Sequence, residues 1–236
     1  MKKTTVLLFL ALLLGIACTQ SAPNTPVAPT LTQTPTPTPA EILSKSGDAV
    51  LALKSARFTI LREGPPAVFN AETGMGFTEA AGEYQAPDRV SAKVKVTLFG
   101  NVLQIEIFWL PDGTFISNPL THQLEAAPAD LGIDAAAMFT PEGIPAVLKT
   151  GIQNTTLVGY ETVEDISAIH IRGEADGAVL SPLMAGALVS GTLYPVDVWV
   201  EKSTYNLVRF HVDESDGNGW MIDLFDFNAP IEIQKP

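Results

Sequence analysis

Cysteine is almost missing from this chain: Cys18 is the single one in 236 residues. No internal disulfide can therefore staple the fold, and no zinc cluster built on several thiolates can form. Basic side chains are also scarce. Lysine and arginine number 14 against 26 aspartates and glutamates, a formal net charge of −12. An acidic chain without a basic stripe lacks the electrostatic footprint of a nucleic-acid binder, so no nucleic-acid partner is expected. Nor can it adhere to anionic lipid headgroups by charge alone. Histidine occurs three times, at His122, His170 and His211, each isolated, and no HExxH or paired-histidine spacing for a metal is present.

Catalytic signatures are missing in the same way. There is no nucleophile elbow, phosphate-binding loop or glycine-rich dinucleotide turn. The stretch "DESDGNG", residues 213 to 219, has Gly217 where a calcium loop needs an oxygen ligand, and no downstream glutamate closes it, so it reads as a turn between strands. His170 and His211 fall on the polar phase of their strands and are read as solvated surface. Glu161, Glu164 and Asp165 are read as charges at a hairpin tip. No metal, no cofactor and no enzymatic activity are expected.

No apolar run is long enough to span a bilayer comfortably, which takes about 20 residues. The longest, "VLLFLALLLGIA" from Val6 to Ala17, has the length of a signal-peptide core and follows Lys2 and Lys3. Ala17 before Cys18, with Leu14 nearby, resembles a bacterial lipobox, in which the cysteine thiol receives a diacylglycerol and becomes the new N-terminus. Gly15 stands where leucine is usual, so the box is irregular; the alternative is an ordinary secretory signal cut near Ala17 or Ala22. Cys18 is the expected lipidation site and membrane contact, and residues 1–18 the expected signal.

What is abundant next is proline and threonine. Residues 19–40, "TQSAPNTPVAPTLTQTPTPTPA", carry six prolines and seven threonines and no charge. Such a segment has little to bury and is expected to be a solvated tether that reaches about 70 Å in polyproline II conformation. Without residues 1–18 the chain loses Lys2 and Lys3 and no acid, so 12 basic side chains face 26 acidic ones. Residues 41–236 suffice for one domain with a sizeable core.

That domain opens with a helical spacing of Ile42, Leu43, Ala49, Val50 and Leu53, and then the period changes to two. Phe58 and Ile60 alternate with polar or outward neighbours, as do Val90, Ala92, Val94, Val96 and Leu98. Gly100-Asn101 turns the chain into Ile105, Ile107 and Trp109, which predicts a hairpin. Ile169 with Ile171, Val196 through Val200, and Val208 through Val212 repeat the pattern. Nine to eleven strands in a large antiparallel sheet follow. Helices are expected near "GIPAVLKTG", with short turns around "DAAAMF", and over "SPLMAGALVS", where Ser181 would cap and Pro182 would start an almost wholly apolar helix. Such a helix is either a plain core helix or one that touches something apolar that is not protein.

The segments "YQAPDRVSAKVKVTLFG", "NPLTHQLE", "MFTPEGIPAVLKTG", "LVGYETVEDISAIHIRG" and "PVDVWVEKSTYNLVRFHV" resemble, in order, the LppX/LprAFG family of lipid-carrying lipoproteins, known mainly from mycobacteria. The resemblance covers about Ala40 to the end. It implies an α+β fold like that of the LolA/LolB carriers: a strongly curved antiparallel half-barrel with helices across its concave face. It also implies a membrane-anchored lipoprotein of the cell envelope, on the outer side of the cytoplasmic membrane, that shelters a lipid or glycolipid with two or three acyl chains. A membrane exporter is a candidate partner. The expected sheet-side cavity wall is Phe58, Ile60, Val94, Val96, Ile105 and Ile107, with Val198 and Phe210. The expected helical lid is Leu183, Met184 and Leu188. Two other readings stay open: a LolA/LolB-type carrier of lipoproteins, and a tethered interaction domain that binds no lipid.

Overall fold

The computed structural model describes residues 36–70, 74–118, 121, 123–128 and 134–235. Cys18, most of the Thr/Pro segment and His122 lie outside the described residues. Helix α1 (Pro39–Leu51) begins at a reciprocal cap: Thr38 Oγ1 accepts from the Glu41 amide at 3.3 Å, and the Glu41 carboxylate accepts from the Thr38 amide at 2.7 Å. Pro39 at the first helical position needs no amide partner there.

The first seven strands are β1 (Ser55–Glu63), β2 (Ala67–Asn70), β3 (Met75–Gln85), β4 (Arg89–Leu98), β5 (Asn101–Leu110), β6 (Gly113–Ser117) and β7 (Leu124–Ala126). A 3₁₀ turn (Ala136–Phe139) and a short helix α2 (Ile144–Ala146), continued by a π-turn (Val147–Gly151), lead to β8 (Ile152–Val163) and β9 (Ile166–Asp176). Helix α3 (Gly177–Leu180) runs on as a 3₁₀ turn (Ser181–Met184) before β10 (Leu193–Glu201), β11 (Leu207–Ser215) and β12 (Asn218–Phe225).

All twelve strands belong to one antiparallel sheet, two more than the middle of the range read from the sequence, because β2 and β7 are too short to show a period. The sheet order is β7-β6-β5-β4-β3-β1-β12-β11-β10-β9-β8, with β2 paired to β3. Two meanders meet in the middle. One steps outward from β1 to β7, the other steps inward from β8 until β12 pairs with β1. The order ends at β7 and β8, so the sheet is open, the half-barrel that the family resemblance implied.

Register aligns the apolar alternates across the whole width. Ile105, Val94, Ala80, Ile60, Ile222, Phe210, Val198, Ile171 and Leu157 form one transverse row over nine strands. Its middle members are buried, and this inner face is the core side. Helix α1 lies over β8, β10 and β11, together with α2 and its π-turn.

The opposite face is polar, but not as solvated as its phase suggests. His170 is 5% exposed, a correction to its reading as free surface. Its Nδ1 lies 2.8 Å from Glu161 and its Nε2 2.6 Å from Asp197, while the Trp199 ring stacks on it at 4.3 Å. Trp199 Nε1 and Arg172 Nε donate to those same carboxylates. Glu161 is thus held in this cluster rather than left free at a hairpin tip. His211 likewise sits 2.9 Å from Glu63. Long neighbours on adjacent strands roof these rings, which no period-two pattern can register.

Candidate functional site: an apolar cleft

A narrow cleft runs along the inner face of β1, β3, β4, β5 and β12. Its floor is Phe58 and Ile60 from β1, Phe77 and Ala80 from β3, Ala92 and Val94 from β4, with Trp109 and Trp220. Two short covers close it from above. One is Asp134, Ala135 and Met138; the other is Pro182, Leu183 and Ala185. The space a water-sized sphere can reach inside is about 40 Å³. That is room for about three waters.

Each cover is held by a few identifiable bonds. Asp134 Oδ1 accepts from the amides of Ala136 and Ala137 at 3.0 and 3.2 Å. Phe139 then anchors this turn by stacking on Tyr84 at 4.0 Å and leaning on Phe58 at 6.1 Å. Burial pushes the Tyr84 hydroxyl pKa up, and nearby Asp88 adds to the shift. The second cover hangs from Asp176, whose Oδ1 accepts from the amides of Ala178 at 2.7 Å and Gly191 at 3.1 Å. Those two backbone donors hold the Asp176 carboxyl below its ordinary pKa.

This second cover differs from the sequence expectation. The helix does not span 182–189 with Ser181 as its cap; it begins at Gly177, capped by Asp176, and ends at Met184. Ala185 and Gly186 both have positive φ, 52° and 77°, so the chain leaves the helical region there. Of the expected lid residues, Leu183 faces the cleft, whereas Met184 and Leu188 are buried without lining it.

The expected wall residues divide similarly. Phe58, Ile60 and Val94 line the cleft. Val96 and Ile107 are buried on the same face of the same strands, and Ile105 is half-buried there. Val198 and Phe210 are buried in the half of the sheet that α1 covers and do not reach the cleft. The sequence reading missed Phe77, Ala80, Met138 and Trp220. A register shift between Phe77 and Glu79 puts Phe77 and Ala80, three residues apart, on one face, which period-two counting assigns to opposite faces. Trp109 shares the phase of Ile107 and was findable. Gly82 shapes the floor: a Cβ there would come within 2.5 Å of the Phe58 ring, so the ring can approach β3 at this point only because residue 82 has no side chain.

One end of the cleft is polar. Trp220 Nε1 donates to Glu214 at 2.6 Å, and Arg62 forks onto the same carboxylate at 2.7 and 3.0 Å. Arg62 also donates to the Pro65 and Gly219 carbonyls, both at 3.1 Å, and its guanidinium lies over the Trp220 ring at 5.2 Å. With these partners Arg62 is a brace tying the end of β1 to β11 and β12. Among the described residues no group of three or more histidine, cysteine or acidic side chains has metal-site geometry.

Comparison with known proteins agrees with this fold. The model of the LppX_LprAFG lipoprotein family matches residues 38–233. The chain belongs to that family. Its fold superposes on the crystal structure of LprF from Mycobacterium bovis with a TM-score of 0.69 at 20% identity, over 86% of this chain and 98% of that one. LppX from Mycobacterium tuberculosis gives 0.60 at 18% identity, over 83% of this chain and 97% of that one. In sequence the family member LprF of Mycobacterium bovis, provisionally named a diacylated glycolipid transporter, is 25% identical over 154 residues, 62% of this chain and 58% of that protein. The lipoarabinomannan carrier protein LprG of Mycobacteroides abscessus is 23% identical over 127 residues, 51% of this chain and 56% of that protein. These relatives carry the names of carriers or transporters, and the match spans little more than half of each.

Proposed function

We propose that the protein is a lipid carrier of the cell envelope that shelters acyl chains in the cleft between the sheet and its two short covers, and that it is not an enzyme. The observation that carries this reading is the cleft itself, floored by aromatic and aliphatic side chains and roofed by two short segments. Burying a diacyl or triacyl lipid removes some hundreds of Å² of apolar surface from water at roughly 25 cal/mol per Å², so only a dry groove competes with a bilayer. Ligand pockets hold roughly 300–1,000 Å³. The cleft, at about 40 Å³, therefore needs a cover to swing away, and the segment 177–185 carrying Leu183 is the natural one, since it ends in two positive-φ residues. On this reading Cys18 bears the lipid anchor, residues 19–40 are the tether and residues 41–236 the carrier. The protein works on the outer side of the cytoplasmic membrane, with an exporter as the source or sink of its lipid.

Native mass spectrometry with lipid extraction, on protein purified from a bacterial host, tests the reading. A co-purifying diacyl or triacyl lipid at near-stoichiometric amount supports it. A bare mass that persists after incubation with envelope lipids refutes it and turns the function toward a tethered interaction domain.

A further inference from the structure

Large apolar side chains exposed to solvent are not scattered evenly over this molecule. Eleven occur among the described residues, and six of them, Val68, Phe99, Val102, Val179, Val189 and Leu193, belong to one end of the sheet. Antiparallel register places that end: β1 finishes there, β3 starts, β4 turns into β5, β9 finishes, and β10 and β12 start. Phe99 is the most exposed of all at 82%, followed by Val102 at 64% and Val189 at 63%.

Three further features separate this rim from incidental exposure. The β4–β5 turn has Phe99 at φ 49° and Gly100 at φ 78°, the left-handed pair of a tight hairpin turn. That first position favours asparagine, aspartate or glycine, and a bulky aromatic is held there against its backbone preference. Next, Val68, Gly76, Thr97 and Val102 stand opposite one another across β2, β3, β4 and β5, so Val68 and Val102 share a face beside the Phe99 tip. The residues adjoining Gly76 and Thr97 in the chain, Phe77 and Val96, point to the inner face, and Phe77 lines the cleft. The cleft thus reaches the same strand ends as the rim, from the other face of the sheet. Finally, charge is missing from the segments that carry these apolar side chains. In a chain of net charge −12, the segments 64–68, 74–78, 96–103 and 177–196 contain no charged residue at all. Among the described residues, acids do stand at this end on other elements: Glu63 sits beside His211, Asp176 caps α3, Glu214 is taken by Arg62 and Trp220, and Asp213 and Asp216 lie at the β11–β12 turn.

We propose that this rim is a membrane-docking surface: Phe99, Val102 and Val68 enter the headgroup and upper acyl region of a bilayer of zwitterionic lipid, and the cleft opens against it. The inference rests on the carrier reading, since a lipid whose chains leave a bilayer for the cleft needs an apolar path between them. The uncharged β4–β5 tip suits an apolar phase, and an exposed aromatic at a turn suits the interface between water and acyl chains. The acidic 213–217 turn disfavours anionic headgroups and tolerates zwitterionic ones.

The test uses the full chain with Cys18→Ala, so that one introduced cysteine carries an environment-sensitive fluorophore. Val102→Cys places it on the rim; Ser203→Cys places it in the β10–β11 loop at the opposite end of the sheet. On brominated phosphatidylcholine vesicles, with binding verified by flotation, the label at 102 shifts to the blue and is quenched several-fold, whereas the label at 203 emits as in water. Phosphatidylglycerol mixed into the vesicles weakens the quenching at 102. Equal behaviour at 102 and 203, a water-like signal at 102, or stronger quenching on the anionic vesicles overturns the proposal. Phe99→Gly, which fits the turn better and so preserves folding, slows transfer of a fluorescent diacyl lipid between vesicles several-fold. Insertion at 102 without any lipid transfer leaves the docking surface standing and refutes the carrier reading; transfer without insertion refutes docking alone.

Discussion

The two halves of the inner sheet face are built from the same kind of side chain and come out differently. The row from Ile105 to Leu157 crosses both without a change in chemistry, yet β8, β10 and β11 lie under a 13-residue capped helix while β3 to β5 lie under turns of a few residues. Under α1 the inner-face side chains Val198, Leu207 and Phe210 are fully buried. Under the short turns the core keeps a cleft. A long helix can lay a continuous stripe into a sheet, whereas a turn contributes one or two side chains and leaves the gap between it and its neighbour unfilled. In this domain the covering element, not the wall, decides where a ligand could go.

The strongest perturbation of that contrast is at the seam, where β1 meets β12. Arg62→Ala leaves Glu214 part-buried without its cation, and the expected loss is about 3–5 kcal/mol, the cost of breaking a buried pair. Urea unfolding should show it, and a loss below 1 kcal/mol would mean the brace is solvated. A matched pair of substitutions then compares the halves directly. Val198→Ala, under α1, removes about two buried methylene equivalents from a packed site and should cost about 2 kcal/mol. Val94→Ala, on the same row but facing the cleft, should cost clearly less and widen the groove; equal losses would erase the distinction drawn here. On the cover, Leu183→Trp should fill the cleft and lower lipid loading while unfolding stays within about 1–3 kcal/mol of the parent, the usual range for overpacking. Unchanged loading by mass spectrometry would remove this segment from the lid.

Acid should loosen the two halves at different points. Glu161 on the outer face is held below its ordinary pKa first by the hydrogen bond from Trp199 and then by His170. Asp176, at the root of the second cover, is lowered by the Ala178 and Gly191 amides. For both groups the folded pKa lies below the unfolded one. Their contribution is therefore complete above the ordinary carboxylate range, about 4, and is lost as pH falls through the lowered folded values. Trp199→Phe should flatten the fall in melting temperature below that range, and Asp176→Asn should do the same while freeing the cover. A melting curve with the parental acid slope in both variants would show that neither bond is formed in solution.

The smallest expected effect concerns α1. Ser46 Oγ is fully buried and has no hydrogen-bond partner among the described residues. Ser46→Ala removes an unsatisfied hydroxyl and improves helix propensity, so stability should rise by about 0.5–1 kcal/mol. A loss instead would point to a hydroxyl that finds a partner in solution.

The period-two alternation of β1, β4, β5 and β9 to β11 was legible because one side of an antiparallel sheet is dry, and local spacing then carries the whole pattern. For the same reason Phe58, Ile60 and Val94 could be assigned in advance to the apolar alternates of their strands. Phase alone left the inner and outer faces alike, and it failed wherever geometry departs from a regular strand. The register shift in β3 hid Phe77, the roofing of His170 by Trp199 hid a buried imidazole, and two positive-φ residues ended a helix whose composition alone would continue it. By itself the sequence determined the antiparallel sheet, its apolar rows and the family resemblance. Tertiary structure alone decided which part of that uniform wall stays uncovered, because the length and placement of the elements packed on a sheet are set by contacts between residues far apart in the chain.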